Sequence, residues 1–473
     1  MSPTPTARSR EAAFAALTRR ALALLGLILQ AAFLYARHGL ARRGIGRWSD
    51  ADARARWQRF AARYVAVATR FRGGLIKLGQ VASLRVEVLP AAVTDELSKL
   101  QDRVQPHPWA EISAQIEHEL GAPVECAFQR FEREPIAAAS LGQVHAAAAR
   151  DGTPLAVKVL YPGIERSVAV DLAMARLALW LFDFVVVPDL AQLHREIARS
   201  LRAEMDYVQE ARAAEEMSRN LARDPELEGV VRIPRIHWEL TTQRVLAMEF
   251  IEGVKINAPE AVRVAGMPRE QLVARASRAF LQMIFRDGFF HCDPHPGNLI
   301  VEPGGRVAIV DFGMHERLDP AVLAGVRANL LAAVTRDADL YARSLADMGA
   351  IDAADLPVAR EIAALSFDPA YYNLTPRELA AVDFADYFAR MRSHMKRLRH
   401  FRLPRGLALW SRAISLLYGL VVELAPGLRP LDLFGPYVLA FLQGRGPSGA
   451  EPPVDRSADA GRSRTSPVLC GRL

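Results

Sequence analysis

Cysteine is scarce here: in 473 residues only Cys126, Cys292 and Cys470 carry a thiol. They lie far apart in the chain, so neither a disulfide framework nor a C-x-x-C metal site can be read from them, and a reducing compartment fits. Lysine is scarce in a different sense. Lys77, Lys99, Lys158, Lys255 and Lys396 are the only five among 60 basic residues, so arginine is the default cation. Each lysine therefore marks a position to weigh, because ammonium is a compact point charge and guanidinium a wide planar fork. A composition of 51% hydrophobic and 24% charged residues excludes disordered and fibrous classes for the body. The length suggests about two or three folding units.

Acid is what residues 1–72 lack. Against fourteen arginines they hold only Glu11, Asp50 and Asp52, a net of +11, and the other 401 residues sum to −4 within a total of +7. A basic end on a nearly neutral body points to one anionic partner surface, nucleic acid or acidic headgroups. The same end carries an apolar run, Ala21–Ala36, flanked by Arg19, Arg20 and Arg37. As a helix this run would span roughly 24 Å, short of the roughly 30 Å hydrocarbon core, so an interfacial or tilted anchor competes with a span, a buried helix and a targeting segment. Coupling of the basic end to an apolar run, rather than to interleaved aromatics, argues against nucleic acid.

From Trp48 to about Arg133 apolar residues recur at three and four, as in Ile112, Ile116 and Leu120, which predicts helices. Between Phe128 and Val159 shorter runs and the Asp151–Gly152 turn signal predict strands. Helical texture returns from about Ile164 to Met217, and Arg244–Ile251 reads as a strand. A long helix, Glu270–Asp287, precedes the loop HCDPHPGN, a strand, the Gly304–Gly305 turn, a second strand and Asp311-Phe312-Gly313. The chain is then helical to about Gln443, and the Gly/Ser/Pro/Arg-rich remainder is expected to be disordered.

Spacing makes the loop informative. Asp293 is followed by Asn298 and, after a predicted hairpin, by Asp311. Hard oxygen donors in this order suit Mg²⁺, which keeps waters and phosphate oxygens as its other ligands. Asp311 would chelate, Asn298 would assist, and Asp293 would accept a hydroxyl proton or orient a water. Lys158, on a strand (LAVKV), has Glu210 available on a later helix, a pairing that holds nucleotide phosphates in protein kinases. Glu249 and Phe250 follow Met248 where a kinase hinge would meet adenine. Before the lysine strand, where a kinase has a glycine-rich loop, stand Ala137, Ala138, Ala139 and Ser140. Their Cβ atoms restrict positive φ and close approach to phosphate, so nucleotide should be held differently.

These residues resemble the UbiB-type atypical kinase family, protein-kinase-like proteins linked to ubiquinone biosynthesis. The resemblance rests on Lys77-Leu78-Gly79-Gln80 (K-x-G-Q), Glu96–Pro106, the AAAS loop, Val157–Ile164, EMDYVQEA (Glu204–Ala211), HCDPHPGN and VDFG. It implies an α+β, two-lobed kinase-like fold with an N-terminal helical extension and a helix-rich C-terminal part. The implied boundaries are a basic segment with a possible anchor (1–44), the extension (45–133), an N-lobe with a helical insertion (134–253), a helical C-lobe (254–443) and a tail (444–473). It also implies that Lys77, with Gly79 and Gln80, lies over the active site and contacts Glu204 and Asp206. ATP and Mg²⁺ are the implied cofactors, with ATP hydrolysis or small-molecule phosphorylation favoured over protein phosphorylation. The implied partners are a membrane lipid or quinone precursor and quinone-biosynthesis enzymes, with no nucleic acid, and the implied place is the cytoplasmic side of a bacterial membrane. The alternative is a nucleotide-responsive scaffold without turnover. The sequence departs from the family pattern at Gln105, at Cys292 and in a tail without a pair of apolar spans. The last departure leaves residues 21–36 or the basic stretch Met391–Arg405 as the expected anchor.

Overall fold

The computed structural model describes residues 7–42, 49–83, 93, 96–97, 100, 105–181, 190–367, 390–391, 393–399 and 401–445. The expected disordered tail, Lys99, most of the Glu96–Pro106 motif and part of the Met391–Arg405 stretch lie outside these residues. The chain divides into two compact units. The first takes the described residues up to Arg212 and Arg235–Phe250; the second takes Ala213–Pro234 and the described residues from Ile251 onward.

The first unit begins with a helix, Ala7–Arg42, that runs well beyond the apolar stretch on both sides. Arginine and alanine are good helix formers, so the helix does not stop where hydrophobicity does. Leu24, Leu27 and Leu34 are buried, and Leu24 and Leu27 join a core with Ala61, Ala68, Leu75 and Ile76. Leu22, Leu29, Phe33 and Leu40, spaced by seven, four and seven, form an exposed stripe on another face. Arg20 fixes the helix in place. It is buried, donates through two nitrogens to both carboxylate oxygens of Asp171 at 2.5 Å, and reaches the carbonyls of Phe71 and Arg72 at 2.7 and 2.8 Å. Those carbonyls end the helix Asp50–Phe71, where a cation complements the exposed C-terminal dipole.

Next comes an antiparallel sheet. Its strands lie in the order Arg130–Phe131, Gly142–Ala148, Pro154–Leu160 and Val245–Glu249, with Ala137–Ala138 also pairing to Gly142–Ala148. Alternation along Pro154–Leu160 buries Leu155, Val157 and Val159 fully on one face. The helices Ile164–Leu181, Leu190–Ala203 and Tyr207–Leu221 follow.

The second unit is built on the helix Arg269–Leu281, prolonged by a π-helical turn, Gln282–Asp287, and closed by Gly288 at φ +63°. Leu272, Val273, Ala276, Phe280, Ile284 and Phe285 are buried. The larger of these side chains contribute about 1.5–3 kcal/mol each on full burial. Strand Phe289–His291 follows, then the hairpin Leu299–Val301 and Val307–Ile309, turning at Gly304 and Gly305 with φ +82° and +79°. The polar strand His315–Arg317, which the sequence did not predict, pairs antiparallel with Phe289–His291. Helices Arg405–Leu424 and Pro430–Leu442 pack on this core, with Trp410 and Phe441 edge-on to Phe285 at 6.0 and 5.6 Å. By length and composition, Phe14–Ala41 and Arg405–Leu424 are long and apolar enough to cross a membrane.

Candidate functional site

In the first unit, Lys158 pairs across the sheet with Val144 and Leu246. It projects from the face opposite Val157 and Val159. Its ammonium lies 2.5 Å from Glu210 Oε1, with the Lys158 side chain 14% and the Glu210 side chain 4% exposed. A lysine this little exposed needs such a partner, and the pairing expected from sequence is formed. The Tyr207 ring lies 5.5 Å from the same ammonium.

Glu210 is placed by the start of its helix. Asp206 Oδ1 accepts from the backbone amides of Val208 and Gln209 at 3.2 and 3.3 Å, and Oδ2 accepts from the Gln209 side chain at 3.1 Å. Asp206 is thus an N-cap that sets the helix carrying Glu210. Lys77 meets Glu204 Oε1 at 2.5 Å, so the E-x-D motif divides its labour: its first acid takes the lysine and its second caps the helix. Gly79 is required by packing, since a Cβ there would lie 2.4 Å from Leu100 Cδ1 and 2.9 Å from Tyr64. Gln80 continues the same helix, Gly74–Ser83; its side chain lies outside the described atoms.

The alanine run forms a hairpin. Ala137 and Ala138 pair with Val144 and Gln143, and the Ala139 amide donates to the Gly142 carbonyl at 2.8 Å across Ser140 and Leu141. That amide is therefore turned into the loop rather than toward a ligand. Sequence reasoning passed over Gly142, where a Cβ would fall 2.5 Å from the Val159 carbonyl oxygen. It also passed over Gln143, buried between the His107 amide at 2.7 Å and the His145 ring at 2.9 Å. At the expected hinge, the Glu249 amide donates to the Arg235 carbonyl at 2.8 Å and the Phe250 amide to the Pro154 carbonyl at 3.0 Å. Both donors are spent inside the unit.

In the second unit, His291 organises the loop. Its buried ring accepts from the Asp293 amide at Nδ1, 3.0 Å away, and donates through Nε2 to the Asp311 carbonyl at 2.5 Å. Burial lowers its pKa, which keeps the neutral tautomer that this pattern requires. The Asn298 side-chain amide donates to the Asp293 carbonyl at 3.2 Å, leaving its oxygen as the remaining metal-seeking atom. Asp311 sits at φ +68°, a strained position for a residue with a Cβ, and its Oδ1 accepts from the Gly313 amide at 3.3 Å. Arg412, 119 residues onward in the chain, donates to Asp293 Oδ1 at 3.0 Å. No local signal could have revealed that contact. Cys292 is fully buried with its thiol pKa pushed up by burial, so it fills space as an inert small residue.

Among the described residues no group of three or more His, Cys, Asp or Glu is set to hold a metal. The oxygens of Asn298 and Asp311 suit instead a Mg²⁺ that draws its remaining ligands from phosphate and water. Lys158–Glu210 and Lys77–Glu204 lie in the first unit, and Asp293, Asn298 and Asp311 in the second.

A five-stranded sheet with a strand lysine held by a helix glutamate, and a helical unit with the D-x₄-N loop and a D-F-G turn, define a kinase-like α+β protein. Residues 99–345 match the ABC1 atypical kinase-like domain, more than half of the chain, and the chain belongs to that family, the UbiB-type atypical kinases. It is 34% identical over 403 residues to the protein ACTIVITY OF BC1 COMPLEX KINASE 8, chloroplastic, of Arabidopsis thaliana, covering 78% of this chain and 52% of the relative. It is 32% identical to the uncharacterized protein slr0889 of Synechocystis sp., covering 73% of this chain and 86% of the relative. Among solved structures, the Mycobacterium tuberculosis protein Rv3197, in a complex with erythromycin, aligns at TM-score 0.46 with 23% identity, covering 76% of this chain and 94% of the other. The chain spans about half the length of the Arabidopsis relatives it matches.

Proposed function

We propose that the protein binds ATP with Mg²⁺ and supports isoprenoid-quinone (ubiquinone) synthesis at a membrane, by hydrolysing ATP or phosphorylating a small molecule. The observation that carries this reading is the Lys158–Glu210 ion pair, made by a lysine on a sheet face in a chain that otherwise uses arginine. Lys158 would hold the α- and β-phosphates, and Glu210 fixes its ammonium in place. Asn298 and Asp311 would hold Mg²⁺, which when bound neutralises charge on the transferring phosphoryl group. Asp293 would orient the attacking hydroxyl or water. The alanine hairpin, with the Ala139 amide spent on Gly142, supports a grip on phosphate that leans on side chains and metal. Lys77, half-buried against Glu204, adds fixed charge where the resemblance places a cover over the site. Membrane contact would use the exposed Leu22, Leu29, Phe33 and Leu40 stripe on the arginine-rich N-terminal helix.

The second reading is a scaffold in which nucleotide selects a conformation without turnover; there the Asp293–Arg412 ion pair would hold the candidate base idle, whereas in the turnover reading it leaves the other carboxylate oxygen to act. Release of γ-phosphate, measured with and without anionic liposomes and quinone-like phenols, separates the two. Mg²⁺-dependent release that rises with liposomes or phenols is the expected result. ATP binding without release under any of these conditions would leave the scaffold, and absence of ATP binding would remove both.

A further inference from the structure

Asp293 is held at three points. Its amide donates to His291 Nδ1, its carbonyl accepts from the His295 amide at 2.7 Å and from the Asn298 side chain at 3.2 Å, and its Oδ1 accepts from Arg412 at 3.0 Å. Among the described residues nothing holds Oδ2. The third of these points comes from the helix Arg405–Leu424, which lies outside the matched domain, residues 99–345.

Arg412 does not act alone on that helix. Arg405, seven positions earlier and so two turns back on nearly the same face, pairs with Glu316 at 3.2 Å. Glu316 lies on strand His315–Arg317, which pairs with Phe289–His291, the strand that delivers the loop. The two arginines therefore grip both sides of the two-stranded element carrying Asp293. Among the described residues Arg412 Nε is buried without a hydrogen-bond partner, and Asp293 is the group its guanidinium meets. Trp410, two residues away, packs edge-on to Phe285 and anchors this part of the helix to the core.

We propose that Arg412 is a positioning residue: it fixes Asp293 through Oδ1 so that Oδ2 is the oxygen presented to the attacking hydroxyl or water. The helix Arg405–Leu424 then belongs to the catalytic apparatus and is more than a C-terminal support. A guanidinium on one carboxylate oxygen sets the direction of the other, and orientation of an attacking group is worth large rate factors. The proposal rests on the turnover reading above.

The test is steady-state Mg²⁺–ATP turnover by the full chain and by Arg412→Gln, Arg412→Lys, Asp293→Asn and the Arg412→Gln/Asp293→Asn double variant, with amide hydrogen exchange over residues 291–298 in nucleotide-free protein. Arg412→Gln should lower kcat by about 10- to 100-fold with KM for ATP within about twofold. It should also speed exchange in the loop. Arg412→Lys should recover part of both, and the double variant should turn over no more slowly than Asp293→Asn alone. An unchanged kcat in Arg412→Gln, losses that multiply in the double variant, or a KM rise that matches the fall in kcat would overturn the assignment. Wild-type protein that binds ATP without turning it over would instead sink the turnover reading, and unaltered loop exchange in Arg412→Gln would then remove the positioning role as well.

Discussion

At the scale of single residues, Asp287 shows how burial sets chemistry in this fold. Its Oδ1 accepts from Gln282 at 3.1 Å, while Oδ2 is buried with no hydrogen-bond partner among the described residues. Burial pushes its pKa up to about 6, against the lowering influence of Gln282, Arg223 and Arg286. The folded chain therefore holds a proton that the unfolded chain releases near pH 4, so this group's stabilisation is full below about pH 4 and is lost as pH rises through about 6. Urea unfolding at about pH 4.5 and about pH 7 should show wild type losing on the order of 1–3 kcal/mol more than Asp287→Asn over that interval. Equal slopes would contradict the assignment. The Lys158–Glu210 pair was legible in the sequence from residue type and order, and the structure forms it, while Asp293, Asn298 and Asp311 could be located there as candidates by their spacing. Gly142 and Arg412 were not: the first is dictated by the Val159 carbonyl across the sheet, the second by a carboxylate 119 residues away.

At the scale of elements, long patterned segments were read well and short polar ones were not. The predicted helix Glu270–Asp287 corresponds to Arg269–Leu281 with its π-helical continuation, and the hairpin turning at Gly304–Gly305 is present. Strand His315–Arg317 was missed because three polar residues have no period, and only pairing with Phe289–His291 makes them a strand. The N-terminal helix was read as too short, because its apolar run was measured in place of the helix. Arg20, clamped on Asp171, separates a face packed on the body from the exposed stripe. The double variant Leu29→Ser/Phe33→Ser should keep its unfolding transition and lose co-flotation with anionic liposomes by at least about fivefold. Equal co-flotation would move the contact to another surface.

At the scale of the whole chain, family and fold were legible because several motifs stand in a fixed order, from K-x-G-Q through the strand lysine to the D-F-G turn. What the order did not reveal is how each motif is held: Asp206 as a helix cap, His291 between Asp293 and Asp311, a hairpin of alanines with its amide turned inward. These are consequences of backbone geometry, which residue types only permit. The central claim concerns the nucleotide, and the most direct test is ATP binding by the full chain with and without Mg²⁺, in wild type, Lys158→Ala and Asp311→Asn. Wild type should bind more tightly with Mg²⁺, Asp311→Asn should lose that Mg²⁺ dependence, and Lys158→Ala should weaken binding by about tenfold, about 1.4 kcal/mol. Undiminished Mg²⁺-dependent affinity in both variants would contradict it.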